Sequence, residues 1–190
     1  MNKLKLKTHL TIALVAAGLV VWTAVAFAKD YACYSGDFRE FCLPKGETQI
    51  QRIHSFVQRN GNIDMFDSLD FMYRYAVAQG IDSALPVCIA FADSGLGREL
   101  LTPYNQGNVG NTDSGNKVGF KSWEEGWVRL IDTLNNKYLW GYSHIEQLSR
   151  YGNKDGFVYA TSPVNWHNNV KNCLEAVKGA ELPDNWSFRT

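Results

Sequence analysis

Asp93 ends an uncharged apolar run, Leu85 to Ala92, and is followed at once by Ser94-Gly95-Leu96-Gly97. The run is long and smooth enough to be a buried helix. Two glycines so close together stop a helix, because glycine enters left-handed conformations that other residues avoid. Asp93 is therefore expected in the last turn of a mostly buried helix, facing whatever cleft opens there. Burial disfavours the charged form of a carboxyl group and raises its pKa. A raised pKa is what a general acid at neutral pH requires. The competing reading is an ordinary polar residue at a helix end, although a carboxylate there opposes the helix dipole.

A long polar stretch comes next, Leu101 to Lys121, rich in Asn, Gly, Thr and Asp. Loops this long inside a domain are usually functional or disordered. Tyr104, Val109 and Phe120 give this one apolar anchors, which favours order. Gly107, Gly110 and Gly115 allow tight turns, and Asn105, Asn108, Asn111 and Asn116 supply amide donors and acceptors. With the aromatics Tyr104, Trp123, Tyr159 and Trp166 they would make a sugar-binding surface of directional hydrogen bonds and flat apolar faces. Asp113 could add a second carboxylate. Taken singly, each asparagine is explained more simply by turn chemistry. The oxygen-ligand run of a calcium loop is missing around Asp113. Neither a Cys-x-x-Cys motif nor paired histidines occur, so no metal or other cofactor is expected.

The elements that must hold these groups read as helices. Ile50, Ile53, Phe56 and Val57 recur at helical spacing over 48–59, and Asn60-Gly61-Asn62 stops that helix. A second runs from Asp64 to Gln79 on Met65, Leu69, Met72 and Ala76, ended by Gly80. Ser83 or Asp82 would cap the central helix, with Pro86 tolerated in its first turn. Ser122-Trp123-Glu124-Glu125 reads as a capping box, and Ser143-His144-Ile145-Glu146 as a second, for a short helix ending near Tyr151-Gly152. Ser162-Pro163 would cap the last helix, carrying Trp166, Val170, Leu174 and Val177. A strand pattern is visible only at Phe157 to Ala160. His54, His144 and His167 are scattered, as surface or packing residues would be. The expected fold class is mainly α, one domain over 29–190.

The N-terminus argues for export. Lys3, Lys5 and Lys7 precede an uncharged run, Leu10 to Ala28, which ends in Ala26-Phe27-Ala28, the pattern of a secretory signal peptide. The run approaches the ~20 residues of a membrane span, so an uncleaved membrane anchor through residues 10–28 is the alternative. Either arrangement places the remainder outside the cytoplasm, in the periplasm or cell envelope. The formal charge is zero over 190 residues, and mildly acidic without the three early lysines. Nucleic acid is thereby disfavoured as a partner, because phosphate binding needs a basic face. Four cysteines in an exported chain suggest two disulfides, and three pairings are possible. Cys33–Cys42 with Cys88–Cys173 is the expected arrangement, the second bridge joining the central and C-terminal helices. A buried free thiol at Cys88 is the alternative.

Three stretches, in order, resemble the bacterial glucosaminidase-type peptidoglycan hydrolases, which have a lysozyme-like fold. Ala90-Phe91-Ala92-Asp93-Ser94-Gly95-Leu96-Gly97 looks like that family's Ala-x-x-Glu-Ser-x-x-Gly element, whose glutamate is the catalytic acid. Asn105-Gln106-Gly107-Asn108-Val109-Gly110 stands where the family has an Asn-Leu-Phe-Gly loop. Tyr159-Ala160-Thr161-Ser162-Pro163 looks like its Tyr-Ala-Thr-Asp-Pro element, whose tyrosine lines the cleft. The likeness covers Leu85 to Val177. It implies cleavage of β-1,4 bonds between N-acetylglucosamine and N-acetylmuramic acid, with peptidoglycan glycan strands as partner, Asp93 as general acid and Tyr159 positioning the sugar. Water would be activated by Asp113, Glu99 or Glu124, unless the substrate's own N-acetyl or 6-hydroxyl group attacks. Asp93 stands where the family has glutamate and reaches one methylene less far, and catalysis is sensitive to about 1 Å. That departure motivates two other readings: a catalytically silent peptidoglycan-binding module, or an envelope scaffold.

Overall fold

A computed structural model of the chain describes residues 31–35, 40–44, 48–112 and 114–190, the first two stretches by their backbone alone. The expected signal peptide or anchor and Asp113 lie outside the described residues. Among those described, no helix is long and apolar enough to cross a membrane.

An antiparallel pair, β1 (Tyr31–Ser35) and β2 (Glu40–Pro44), opens the described chain, in a register that sets Cys33 opposite Cys42. Beyond it the regular structure is helical. Helix α1 (Gln49–Asn60) starts at Thr48, whose hydroxyl accepts from the N–H of Gln51 while the Gln51 side chain accepts from the N–H of Thr48. This reciprocal box satisfies two otherwise orphaned donors. The stretch predicted as one helix over Asp64–Gln79 divides into a 3-10 segment, Ile63–Ser68, and helix α2, Leu69–Ala78.

Helix α3 (Ala84–Ser94) is the hub. Every residue from Ala84 to Ala90 is buried, as a helix apolar all round must be. Helices α1, α4 (Trp123–Leu134) and α5 (Asn165–Lys178) pack around it, α5 most extensively. A disulfide joins Cys88 of α3 to Cys173 of α5, the bridge expected from the sequence. Phe56, Met65, Met72, Trp127, Leu130, Val170 and Phe188 complete the core around α3. Trp127 keeps its indole N–H satisfied there by donating to Ser68 Oγ at 2.8 Å.

Several caps differ from their sequence readings. Ser122 does cap α4, accepting from the N–H of Glu125, but the Glu125 carboxylate returns to the N–H of Lys121. At the second expected box it is Gln147, not Glu146, that accepts from the N–H of Ser143 and His144. The resulting 3-10 segment is short, Ile145–Leu148. Ser162 caps nothing: α5 begins at Asn165 after Val164, with no side-chain cap. The Phe157–Ala160 strand reduces to one parallel bridge, Ala160 to Ser149.

Candidate active site

Asp93 occupies the last turn of α3. Gly95 then turns left-handed at φ 56°, and the N–H groups of Gly95 and Leu96 return to the carbonyls of Phe91 and Ala90. Ser94 ties this end of the helix to the polar loop. Its hydroxyl lies 2.7 Å from the carbonyl of Gln106 and accepts from the N–H of Gly97 at 2.9 Å. Three non-glycine residues in this region hold positive φ: Leu96, Tyr104 and Asn108. For a buried leucine the left-handed region costs about 1–2 kcal/mol, so surrounding contacts must impose it.

Two clefts meet at Asp93, among the described residues the one common to both linings. A cleft of about 530 Å³ runs between the polar loop and the segments at 133–139 and 157–162, and includes Asn108, Asn111, Tyr159 and Trp166. One of about 630 Å³ is bounded by Asn60, Phe91, Arg98 and Glu99. Among the described lining residues the carboxylates are Asp93 and Glu99. Glu124 borders neither cleft.

Burial pushes the Asp93 carboxyl up to about 7, against the opposing pull of hydrogen bonding by Trp166 and Tyr159. The Trp166 indole N–H donates to Oδ1 at 2.9 Å. An indole N–H can only donate, so Oδ1 must accept, and Oδ2 is the oxygen left to carry the proton. The Tyr159 phenol is held well above its ordinary value, first by burial and then by the neighbouring Asp93 carboxylate. The single Tyr159 proton has two acceptors in reach, the Asp93 carboxyl and the carbonyl of Gly107, and serves one at a time. The tyrosine therefore stays neutral, and the site combines one carboxyl that is half-protonated near neutral pH with donors arranged around it.

The predicted site residues separate into two groups. Asp93, Tyr159, Trp166, Asn108 and Asn111 come together at the 530 Å³ cleft. The Asn108 amide donates to the backbone carbonyl of Asp93 at 2.9 Å, and Asn111 donates to Asn108 Oδ1 at 3.2 Å. Trp166, expected to stack on a ligand, is instead buried at 5% exposure and holds the acid. Asn105 is a correction: it is buried and spent on the loop itself, donating to the carbonyls of Val109 and Val118 and accepting from the N–H of Val109. Asn111 is used the same way, donating to Asn108 Oδ1 and Thr102 Oγ1 and accepting from the N–H of Val118, and this turn chemistry competes with any ligand-binding reading of an asparagine. Tyr104 is a second correction; it packs edge-on against Trp123 at 5.3 Å and does not line the cleft.

Sequence reasoning missed Thr133, Asn136, Tyr138 and Phe157, all of which line that cleft. Tyr138 and Phe157 carried only the signal of aromatics in turn-rich sequence, which is too common to single them out, and Thr133 and Asn136 carried none. No protein-family model matches the chain, and neither does any curated protein or solved structure.

Proposed function

We propose that the protein is a lysozyme-like glycosidase of the cell envelope that cuts β-1,4 bonds of peptidoglycan glycan strands, with Asp93 as general acid. The observation that carries this reading is a carboxyl group with a pKa of about 7 at the junction of two clefts. Its proton would pass to the glycosidic oxygen as the sugar gains oxocarbenium character. The Asn108 amide, which spends one N–H on the Asp93 carbonyl, and the half-buried ring of Tyr159 suit an N-acetylated sugar. The disulfide is consistent with an oxidising compartment, and fits export to the periplasm or envelope. Water, or the substrate's acetamido or 6-hydroxyl group, completes the reaction. These routes differ in product: hydrolysis leaves new reducing ends, and attack by the 6-hydroxyl leaves 1,6-anhydro ends.

Mass spectrometry of purified sacculi incubated with the protein tests the proposal. We expect soluble glycan fragments, and Asp93→Asn to lower their release by about 10²–10⁴-fold, the range of a positioned acid. Activity should fall as pH climbs through about 7, where Asp93 loses its proton. Unchanged release by Asp93→Asn would sink the assignment. The short reach of aspartate supports a second reading, a binding module without turnover. Co-sedimentation with sacculi and no new chain ends would decide for it.

A further inference from the structure

Tyr138 and Phe157 come from separate segments of the chain, yet their ring centroids lie 4.3 Å apart and both rings line the cleft that leads to Asp93. Both are open to solvent, at 47% and 61% of their surface. Exposed aromatics on mobile loops would signify little, but these are held. Arg189 pins the segment that carries Tyr138, its guanidinium donating to the carbonyls of Leu134, Leu139 and Tyr142 and to Asn135 Oδ1. The Lys137 ammonium lies 4.9 Å from the Tyr138 centroid. Phe157 is held from its own side, where Asn153 donates to its carbonyl at 3.0 Å. Beside the pair, Asn136 Oδ1 is taken by the N–H groups of Tyr138 and Leu139, which leaves the Asn136 Nδ2 donors for a ligand. Two apolar rings tilted 42° to each other, with a directional donor beside them and continuous with a cleft, suit a ligand ring with both a C–H face and hydroxyl or carbonyl edges. Pre-organisation lowers the ordering cost of binding.

We propose that Tyr138 and Phe157 form an outer subsite that stacks one N-acetylhexosamine ring of the glycan, away from the bond being cut. The proposal rests on the glycan-cleaving reading above and assigns to it residues that contribute affinity without touching the reacting atoms. Tyr138→Ala and Phe157→Ala should each weaken binding of a soluble N-acetylglucosamine hexamer about 3- to 10-fold. The binding is titrated against the full chain carrying Asp93→Asn, so that turnover does not interfere. In the active protein the same changes should raise KM and leave kcat nearly unchanged, because uniform binding is what they remove. Phe157→Tyr should retain affinity. Trp140→Ala is the control, since Trp140 is 66% exposed in the same segment but does not line the cleft; it should bind like the parent. A parent that binds the hexamer or cuts sacculi, with Tyr138→Ala/Phe157→Ala equal to it in affinity, would overturn the subsite and leave the glycan reading standing. Equal losses from Trp140→Ala would also overturn it, by showing a general surface effect. A parent that neither binds hexamer nor acts on sacculi would overturn both.

Discussion

At Asp93 the same burial that suits catalysis works against stability. The folded carboxyl keeps its proton up to about pH 7, whereas an unperturbed aspartate releases it near 3.8. Between these values the folded state holds a proton that the unfolded state has lost. Stability therefore falls as pH rises through that window and stays low above it. A window of this width corresponds to roughly 4 kcal/mol at most, and the partial exposure of Asp93 trims it. Asp93→Asn keeps an acceptor for Trp166 and removes the ionisation. It should stabilise the protein by about 2–4 kcal/mol at pH 8 and by almost nothing at pH 4. Denaturant unfolding at the two pH values measures the difference. Equal effects at both would mean that the carboxyl is hydrated and of ordinary acidity. Trp166 is the residue whose role changed most between sequence and structure: an aromatic that reads as a stacking face instead supplies the N–H that orients the acid.

At the scale of elements, the site depends on how closely the polar loop approaches α4. Gly126 makes that approach possible. A Cβ added there would stand 2.1 Å from the carbonyl oxygen of Tyr104 and 2.4 Å from the side-chain amide of Gln106, distances at which backbone must move. We expect Gly126→Ala to destabilise the fold by about 1–3 kcal/mol, the usual cost of overpacking. Faster amide hydrogen exchange should accompany it at Asn108 and Val109, since the loop is what yields. Unchanged stability with unchanged exchange would show that the loop has room to spare. Ser94 works on the other side, holding the end of α3 to the carbonyl of Gln106, so that helix and loop present Asp93 and Asn108 as one unit.

For the whole molecule, the Cys88–Cys173 bridge joins the helix that carries the acid to the helix that carries Trp166, across 85 residues of sequence. Closing a loop of that length stabilises by about 4.5 kcal/mol in the chain-entropy view. Replacing both cysteines with alanine should lower Tm by roughly 10 °C, read by thermal unfolding of the two proteins side by side. A change of only a degree or two would mean that packing alone holds α3 on α5. The C-terminal segment is the other long-range tie. The Phe188 and Thr190 backbones bond to Asp82, Ser143 and Gly80, and Arg189 closes the end of α4.

Much of this was legible in the amino-acid sequence because its causes are local. The apolar run that ends in Asp93-Ser94-Gly95 determines a buried helix stopped at a carboxylate, since a run without a polar face has to be buried and a left-handed glycine ends it. The helical spacing of Ile53, Phe56 and Val57, or of Trp127, Leu130 and Leu134, likewise determines which faces turn inward. Tertiary structure alone decided the rest. Asn105 and Asn108 are the same residue type in the same loop, yet one is consumed by Val109 and Val118 and the other is brought to the carbonyl of Asp93. The indole of Trp166 reaches Asp93 across 73 residues, and Tyr138 meets Phe157 from a separate segment, through packing that no local pattern encodes. Side-chain type and local spacing set what each group can do; which groups meet depends on contacts between segments far apart in the chain.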